Sequence, residues 1–121
     1  MVEVEQVDFV SVLTQDIPRA KKFYGETLGL PIETEGENDL EFTLGQVTLD
    51  VFDPSSIGKP FAANTAGMAI RVPDVAAARA ALETEGVEFD GETRDTGVCH
   101  MAFFKDPDGN ALILHRRYAP R

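Results

Sequence analysis

An α+β fold is predicted, built from two βαβββ modules whose sheets pair into one curved, concave mixed sheet with the helices outside. Three observations predict it. A strand-like run leads into an aspartate-capped helical segment twice, at Asp16 and again at Asp74, and three further strand-like runs follow each helix. Laying Asp16 on Asp74 also brings Leu28-Gly29-Leu30 onto Glu85-Gly86-Val87 with a one-residue shift. Finally, Asp106-Pro107-Asp108-Gly109 carries Asp, Pro and Gly at the first, second and fourth places of a type I turn, between two apolar runs that it joins as a hairpin. The repeat is too long and has too few copies for a solenoid. The expected organisation is one domain over residues 1–121, with module one at 7–53, a linker at 54–66 and module two at 67–117.

Residues 1–6 read as a lead-in, and Val7 to Leu13 alternate as a strand. Asp16 is an N-cap, and Pro18 is tolerated behind it because the first amides of a helix have no intrahelical partner. Ile17, Ala20, Phe23 or Tyr24, and Leu28 recur at helical spacing, and Gly29 terminates the segment. Strands are expected at Leu30–Glu33, Leu40–Leu44 and Val47–Phe52, with polar or glycine turns between them. Pro54 to Ala66 shows no periodicity and is long for a connection in a compact domain, so it reads as a crossover or a functional loop. Module two opens with the strand from Gly67 to Val72. Asp74 then caps a helix with Val75, Ala78 and Ala81 or Leu82 on its packing face, closed by Gly86. Val87–Asp90, Val98–Phe104 and Ala111–Arg116 supply the last three strands.

Composition narrows the function classes. A hydrophobic content of 43% and a charged content of 26% suit a soluble globular domain. No apolar run could span a membrane, no basic-then-apolar leader is present, and the single Cys99 excludes an internal disulfide, so a cytoplasmic location is expected. A net charge of −10 argues against nucleic acid, whose phosphates it would repel, and favours cationic or neutral ligands over anionic ones.

Strand alternation divides the side chains between two faces. Val10, Val12, Val47, Leu49, Val51, Met68, Ile70, Val72, Leu112 and Leu114 form an apolar set expected under the helices. The opposite set holds Phe9, Ser11, Leu13, Thr48, Asp50, Phe52, Gly67, Ala69, Arg71, Ala111, Ile113 and His115. Aromatic and aliphatic side chains with a few polar groups among them fit the wall of a ligand cleft. The candidate ligand-binding residues are therefore Phe9, Ser11, Leu13, Asp50, Phe52, Arg71, Ile113 and His115. Asp50 and Arg71 admit two readings, as an ion pair between the modules or as groups that orient a polar ligand. Cys99 reads as a small buried hydrophobe.

The βαβββ repeat, Asp16-Ile17-Pro18-Arg19-Ala20-Lys21-Lys22-Phe23-Tyr24, Leu28-Gly29-Leu30 and Asp106-Pro107-Asp108-Gly109-Asn110 together resemble the vicinal oxygen chelate superfamily. This group holds glyoxalase I, the bleomycin-resistance proteins, fosfomycin-resistance transferases and extradiol dioxygenases. The resemblance covers residues 7 to 117 and implies the glyoxalase/bleomycin-resistance fold, completed in a homodimer. It also implies where a divalent metal would be held, at the first and last strands of each module. Those positions carry Phe9, Asp50, Gly67 and Ile113, three of which have no side-chain donor.

The resemblance and the residues together lead to an expectation of no metal and no cofactor. The expected function is a small-molecule binding protein of the bleomycin-resistance type that sequesters its ligand. Three alternatives stand beside it. One is a metal-independent isomerase or lyase with Asp50 or His115 as general base. Another is a metalloenzyme with ligands displaced to Asp50, His100 and His115. The third is a fold kept for protein assembly alone. A Ser11–His115–Asp50 triad lacks a supporting nucleophile-elbow motif.

Overall fold

The computed structural model describes residues 1–121, which divide into two compact units, Met1–Ala62 and Ala63–Arg121. Each is α+β, with one four-stranded mixed sheet and one helical segment behind it.

The first unit contains β1 (Phe9–Leu13), α1 (Ile17–Lys21), β2 (Ile32–Glu35), β3 (Asp39–Leu44) and β4 (Val47–Phe52). Its strand order is β1-β4-β3-β2, with β1 parallel to β4 and the other pairs antiparallel. Asp16 caps α1 as expected, its side chain accepting from the Arg19 amide at 3.0 Å. After five residues the helix widens into a six-residue π-helical segment, Lys22–Thr27, where the sequence predicts a continuous α-helix. The Leu28 amide reaches back five residues to the Phe23 carbonyl at 2.8 Å. Two consecutive aromatics, Phe23 and Tyr24, are both buried in that segment. Their rings meet edge to face with centroids 5.1 Å apart, and Tyr24 also packs on Phe42 at 5.9 Å. Gly29, at φ 73, ends the segment in a conformation costly for any residue with a Cβ.

The sheet face behind α1 is apolar. Val12, Leu40, Phe42, Leu49 and Val51 are buried, and each contributes about 1.5–3 kcal/mol by leaving water. Thr14 is buried as well, and its amide extends the β1–β4 pairing by donating to the Phe52 carbonyl at 3.0 Å. Pro54–Ile57 adds a short 3-10 turn capped by Asp53.

The second unit contains β5 (Met68–Arg71), α2 (Val75–Thr84), β6 (Arg94–Asp95), β7 (Cys99–Lys105) and β8 (Ala111–Arg117), in the order β5-β8-β7-β6. Again the first strand is parallel to the last. The Asp74 carboxylate caps α2 by accepting from the Ala77 amide at 3.0 Å. The strand expected at Val87–Asp90 is not formed. Only Phe89 makes a single antiparallel bridge, to Phe104, and the edge strand is instead the two-residue β6. The alternating residues there serve packing. The Phe89 ring lies 5.0 Å from that of Phe104 and carries the Arg79 guanidinium 4.8 Å above it. Arg79 also donates to Thr93 Oγ1 at 3.1 Å and to the Gly91 carbonyl at 2.9 Å, which holds the segment against α2 without a ladder.

The turn between β7 and β8 closes as its sequence requires. The Gly109 amide donates to the Asp106 carbonyl at 3.0 Å, and Asp106 Oδ1 accepts from the amides of Asp108 and Asn110 at 2.9 and 2.8 Å. Asn110 Nδ2 donates to Asp106 Oδ2, while Asn110 Oδ1 accepts from the Asn64 amide. Both side chains are buried, so this network removes polar groups from water only because it satisfies them.

Candidate functional site

In the first unit, the register Phe9↔Thr48, Ser11↔Asp50 and Leu13↔Phe52 sets five of the expected residues side by side on the face opposite α1. Phe9 is 55% exposed, a large apolar side chain left in water, while Leu13 and Phe52 are half-buried. Ser11 Oγ donates to Asp50 Oδ2 at 3.4 Å.

β3 extends this face with residues that the sequence reading left out. Thr43, Glu41 and Asp39 pair with Thr48, Asp50 and Phe52, because Leu40 and Phe42 alternate with them into the core. The same period of two that assigned β1 and β4 would have found them. Glu33 joins from β2, accepting from Thr43 Oγ1 at 2.9 Å and Thr48 Oγ1 at 3.1 Å, and Thr34 Oγ1 donates to Glu41 at 2.6 Å.

The carboxylates on this face are thus unequally satisfied. Glu33 and Glu41 each hold short threonine bonds, whereas Asp50 has the longer Ser11 contact. Partial burial, and then the negative charges of Asp39 and Glu41, raise the Asp50 carboxyl above its ordinary value of 3.8, and the Ser11 bond only partly opposes them. Asp50 is therefore a group on this face that gains from a bound cation, a hydrogen-bond donor or a proton.

In the second unit, Arg71 pairs with His115 and Ala69 with Ile113 across β5 and β8. Arg71 is exposed, and Ile113 and His115 are half-buried. β7 contributes two further residues to this face, Met101 opposite His115 and Phe103 opposite Ile113. They too were legible from alternation, since Ala102 and Phe104 between them are buried.

The positions that the family resemblance makes metal ligands do not fit a metal. Phe9 and Ile113 have no donor atom. Gly67 sits at φ 93, and a Cβ built there would lie 3.1 Å from Ile113 Cδ1. The Ile113 side chain therefore occupies the space into which a ligand side chain from position 67 would project. His100 and His115 do not share a face: His115 is level with Met101, whereas His100 is the next residue along β7 and pairs with Arg116. His100 instead approaches Asp95 at 3.4 Å and stacks on Tyr118 at 4.9 Å. No group of three or more His, Cys, Asp and Glu side chains is placed to hold a metal ion. Cys99 is buried, with Sγ 3.1 Å from Thr96 Oγ1. No helix is long and apolar enough to cross a membrane.

Comparison with known proteins places these features. Residues 6–114 match the model of the Glyoxalase/Bleomycin resistance protein/Dioxygenase superfamily. TnmS3, an antibiotic binding protein from Streptomyces sp. CB03234, superposes with a TM-score of 0.79 at 29% identity, over 98% of this chain and all of that one. A glyoxalase/bleomycin resistance protein from the same organism gives a TM-score of 0.74 at 30% identity, over 92% of this chain and all of that one. The Escherichia coli protein YaeR, itself uncharacterised, is 28% identical over 97% of this chain and all of its own.

Proposed function

The chain belongs to the glyoxalase/bleomycin-resistance/dioxygenase superfamily, and within it we propose a small-molecule binding protein that sequesters its ligand on the sheet face carrying Asp50. One observation carries this reading. Phe9, Leu13 and Phe52 remain solvent-accessible around a carboxylate whose neighbours leave it short of partners. Exposed apolar area beside an under-satisfied acid is unfavourable in the free protein and is relieved by an aromatic or aliphatic ligand that carries an amine or hydroxyl. The likeness to an antibiotic binding protein supports the same class of activity.

On the Asp50 face, Phe9, Leu13 and Phe52 would supply contact area, and Ser11 and Asp50 would orient polar groups. On the sheet of the second unit, Ile113 would supply contact area, and Arg71 and His115 would orient polar groups. The reading includes a homodimer in the cytoplasm and no bound metal; sedimentation of the purified protein and its metal content test the dimer and the metal. The function itself is tested by a thermal-shift screen of aromatic cations, anions and neutral compounds, repeated on Asp50→Ala and Phe52→Ala. Stabilisation by aromatic cations that is lost in both variants supports the reading. Stabilisation that survives both would sink it.

The raised Asp50 carboxyl favours one second reading, a metal-independent isomerase or lyase that uses Asp50 as general base. In that case turnover of a bound carbonyl compound would follow the ionisation of one carboxylate and vanish in Asp50→Asn, while the ligand still bound.

A further inference from the structure

Behind the same sheet, on the helix side of the first unit, lies a cavity separate from the Asp50 face. It encloses about 410 Å³, within the roughly 300–1,000 Å³ usual for small-molecule sites. Its walls are Pro18, Leu30, Ile32 and Phe42, and Lys21, Lys22 and Glu26 stand around it.

Two irregularities of the fold border it. The π-helical segment Lys22–Thr27 lines it with Lys22, Gly25 and Glu26, and the start of β2 lines it with Ile32, where the pairing with β3 shifts register between Ile32 and Thr34. Segments of both kinds are uncommon and collect near functional sites.

Gly25 supplies the third observation. Its φ is not positive, so its backbone does not require glycine. A Cβ there would meet Phe42 Cε1 at 3.6 Å, an ordinary contact. Glycine inside a helix costs about 1 kcal/mol relative to alanine. Gly25 itself lines the cavity, and its missing side chain leaves that part of the wall bare.

The charges at the mouth indicate the occupant. The first unit has only four basic residues against twelve acidic ones, yet two of the four, Lys21 and Lys22, are adjacent at this cavity. Lys21 is held by Glu35 at 2.6 Å, while Lys22 forms no ion pair, not even with Glu26 four residues on. We propose that this cavity binds a small carboxylate amphiphile, its apolar body against Pro18, Leu30 and Ile32 and its carboxylate on Lys22 and Lys21. This site is separate from the sheet-face site and stands whether or not that one binds a ligand.

Decanoate is a suitable probe, and decyltrimethylammonium is its cationic counterpart. Calorimetric titration of the full chain should show saturable one-to-one decanoate binding that weakens with added salt. Lys22→Glu should reduce affinity about tenfold, the size of one charge-assisted contact, and Gly25→Leu should abolish binding by filling the space. Asp50→Asn, which removes the sheet-face carboxylate, should leave decanoate affinity within about twofold. Thermal melts establish whether each variant folds. If Gly25→Leu does not, amide shifts in the unsubstituted protein decide: movement at Gly25 and Ile32 supports the site, and movement confined to Ser11 and Thr48 overturns it. Equal affinity for the ammonium probe, no decanoate binding, or loss of binding in Asp50→Asn would each overturn it too.

Discussion

At the scale of the residue, Asp50 differs from Glu33 and Glu41 in how little holds its charge. Burial and the charges of Asp39 and Glu41 raise its carboxyl, so the folded state binds a proton more tightly than the unfolded chain does. The ionised form therefore works against the fold above the raised value, and protonation relieves it as pH falls toward 3.8. Asp50→Asn is expected to raise the melting temperature at pH 7, with the gain shrinking to nothing as pH approaches the ordinary aspartate range. A gain that is constant with pH would assign the effect to something other than ionisation. Asp95 shows the opposite case. Its carboxyl is lowered first by the Tyr118 hydroxyl, 2.7 Å away, and then by the Gly97 amide. Tyr118→Phe should return the Asp95 titration, followed by carbonyl NMR, toward the usual value. Asp50 was legible in the sequence, because alternation alone puts it among Ser11, Phe9 and Phe52. The cause of its shift was missed, although the Gly45-Gln46 turn and the same alternation bring Asp39 and Glu41 onto its face. The degree of burial that dominates the shift is the part no local pattern records.

Elements are held by a few polar devices, and the β7–β8 turn is the most demanding. Asp106 is buried and accepts two turn amides, so Asp106→Ala would strand them away from water. At about 1–3 kcal/mol for each unsatisfied group, urea unfolding should show a loss of roughly 2–6 kcal/mol. Asp74→Ala, which removes a solvent-facing cap, should cost about 1 kcal/mol by the same measurement. Gly25→Ala is expected to gain about 0.5–1 kcal/mol, since the added methyl makes only an ordinary contact with Phe42 and helix propensity improves. Caps and turns such as these were readable because their chemistry is local: Asp16, Asp74 and Asp106 each bond to amides within four residues. The π-helical segment was not, because Ile17, Ala20, Phe23 and Leu28 satisfy ordinary helical spacing while the chain adds a residue to bury Tyr24 beside Phe23. Val87–Asp90 misled for a related reason. Its apolar alternation is satisfied by ring packing and Arg79, with no need of a ladder.

Over the whole molecule, charge is unevenly divided. The first unit carries twelve acidic and four basic residues, and the second nine and seven, so nearly all of the net −10 belongs to the unit that contains Asp50. Binding of an aromatic cation to the Asp50 face should therefore weaken as sodium chloride rises from about 0.05 to 0.5 M, as the screening length shortens from more than ~10 Å to a few Å. Affinity that ignores salt would show that the acidic surface has no part in recognition. The βαβββ order of each half was legible because its signals, an aspartate cap after one strand and three strands before the next connection, occur twice. In both halves the first strand pairs in parallel with the last, β1 with β4 and β5 with β8. That shared topology sets a schedule for synthesis. A nascent chain can complete its first sheet once Phe52 has emerged, but β5 has no partner until the residues from Ala111 onward follow. At about 5–20 residues per second, the interval from Phe52 to Arg117 lasts about 3–13 s, and for part of it the second unit offers an open strand edge to whatever chain is nearby.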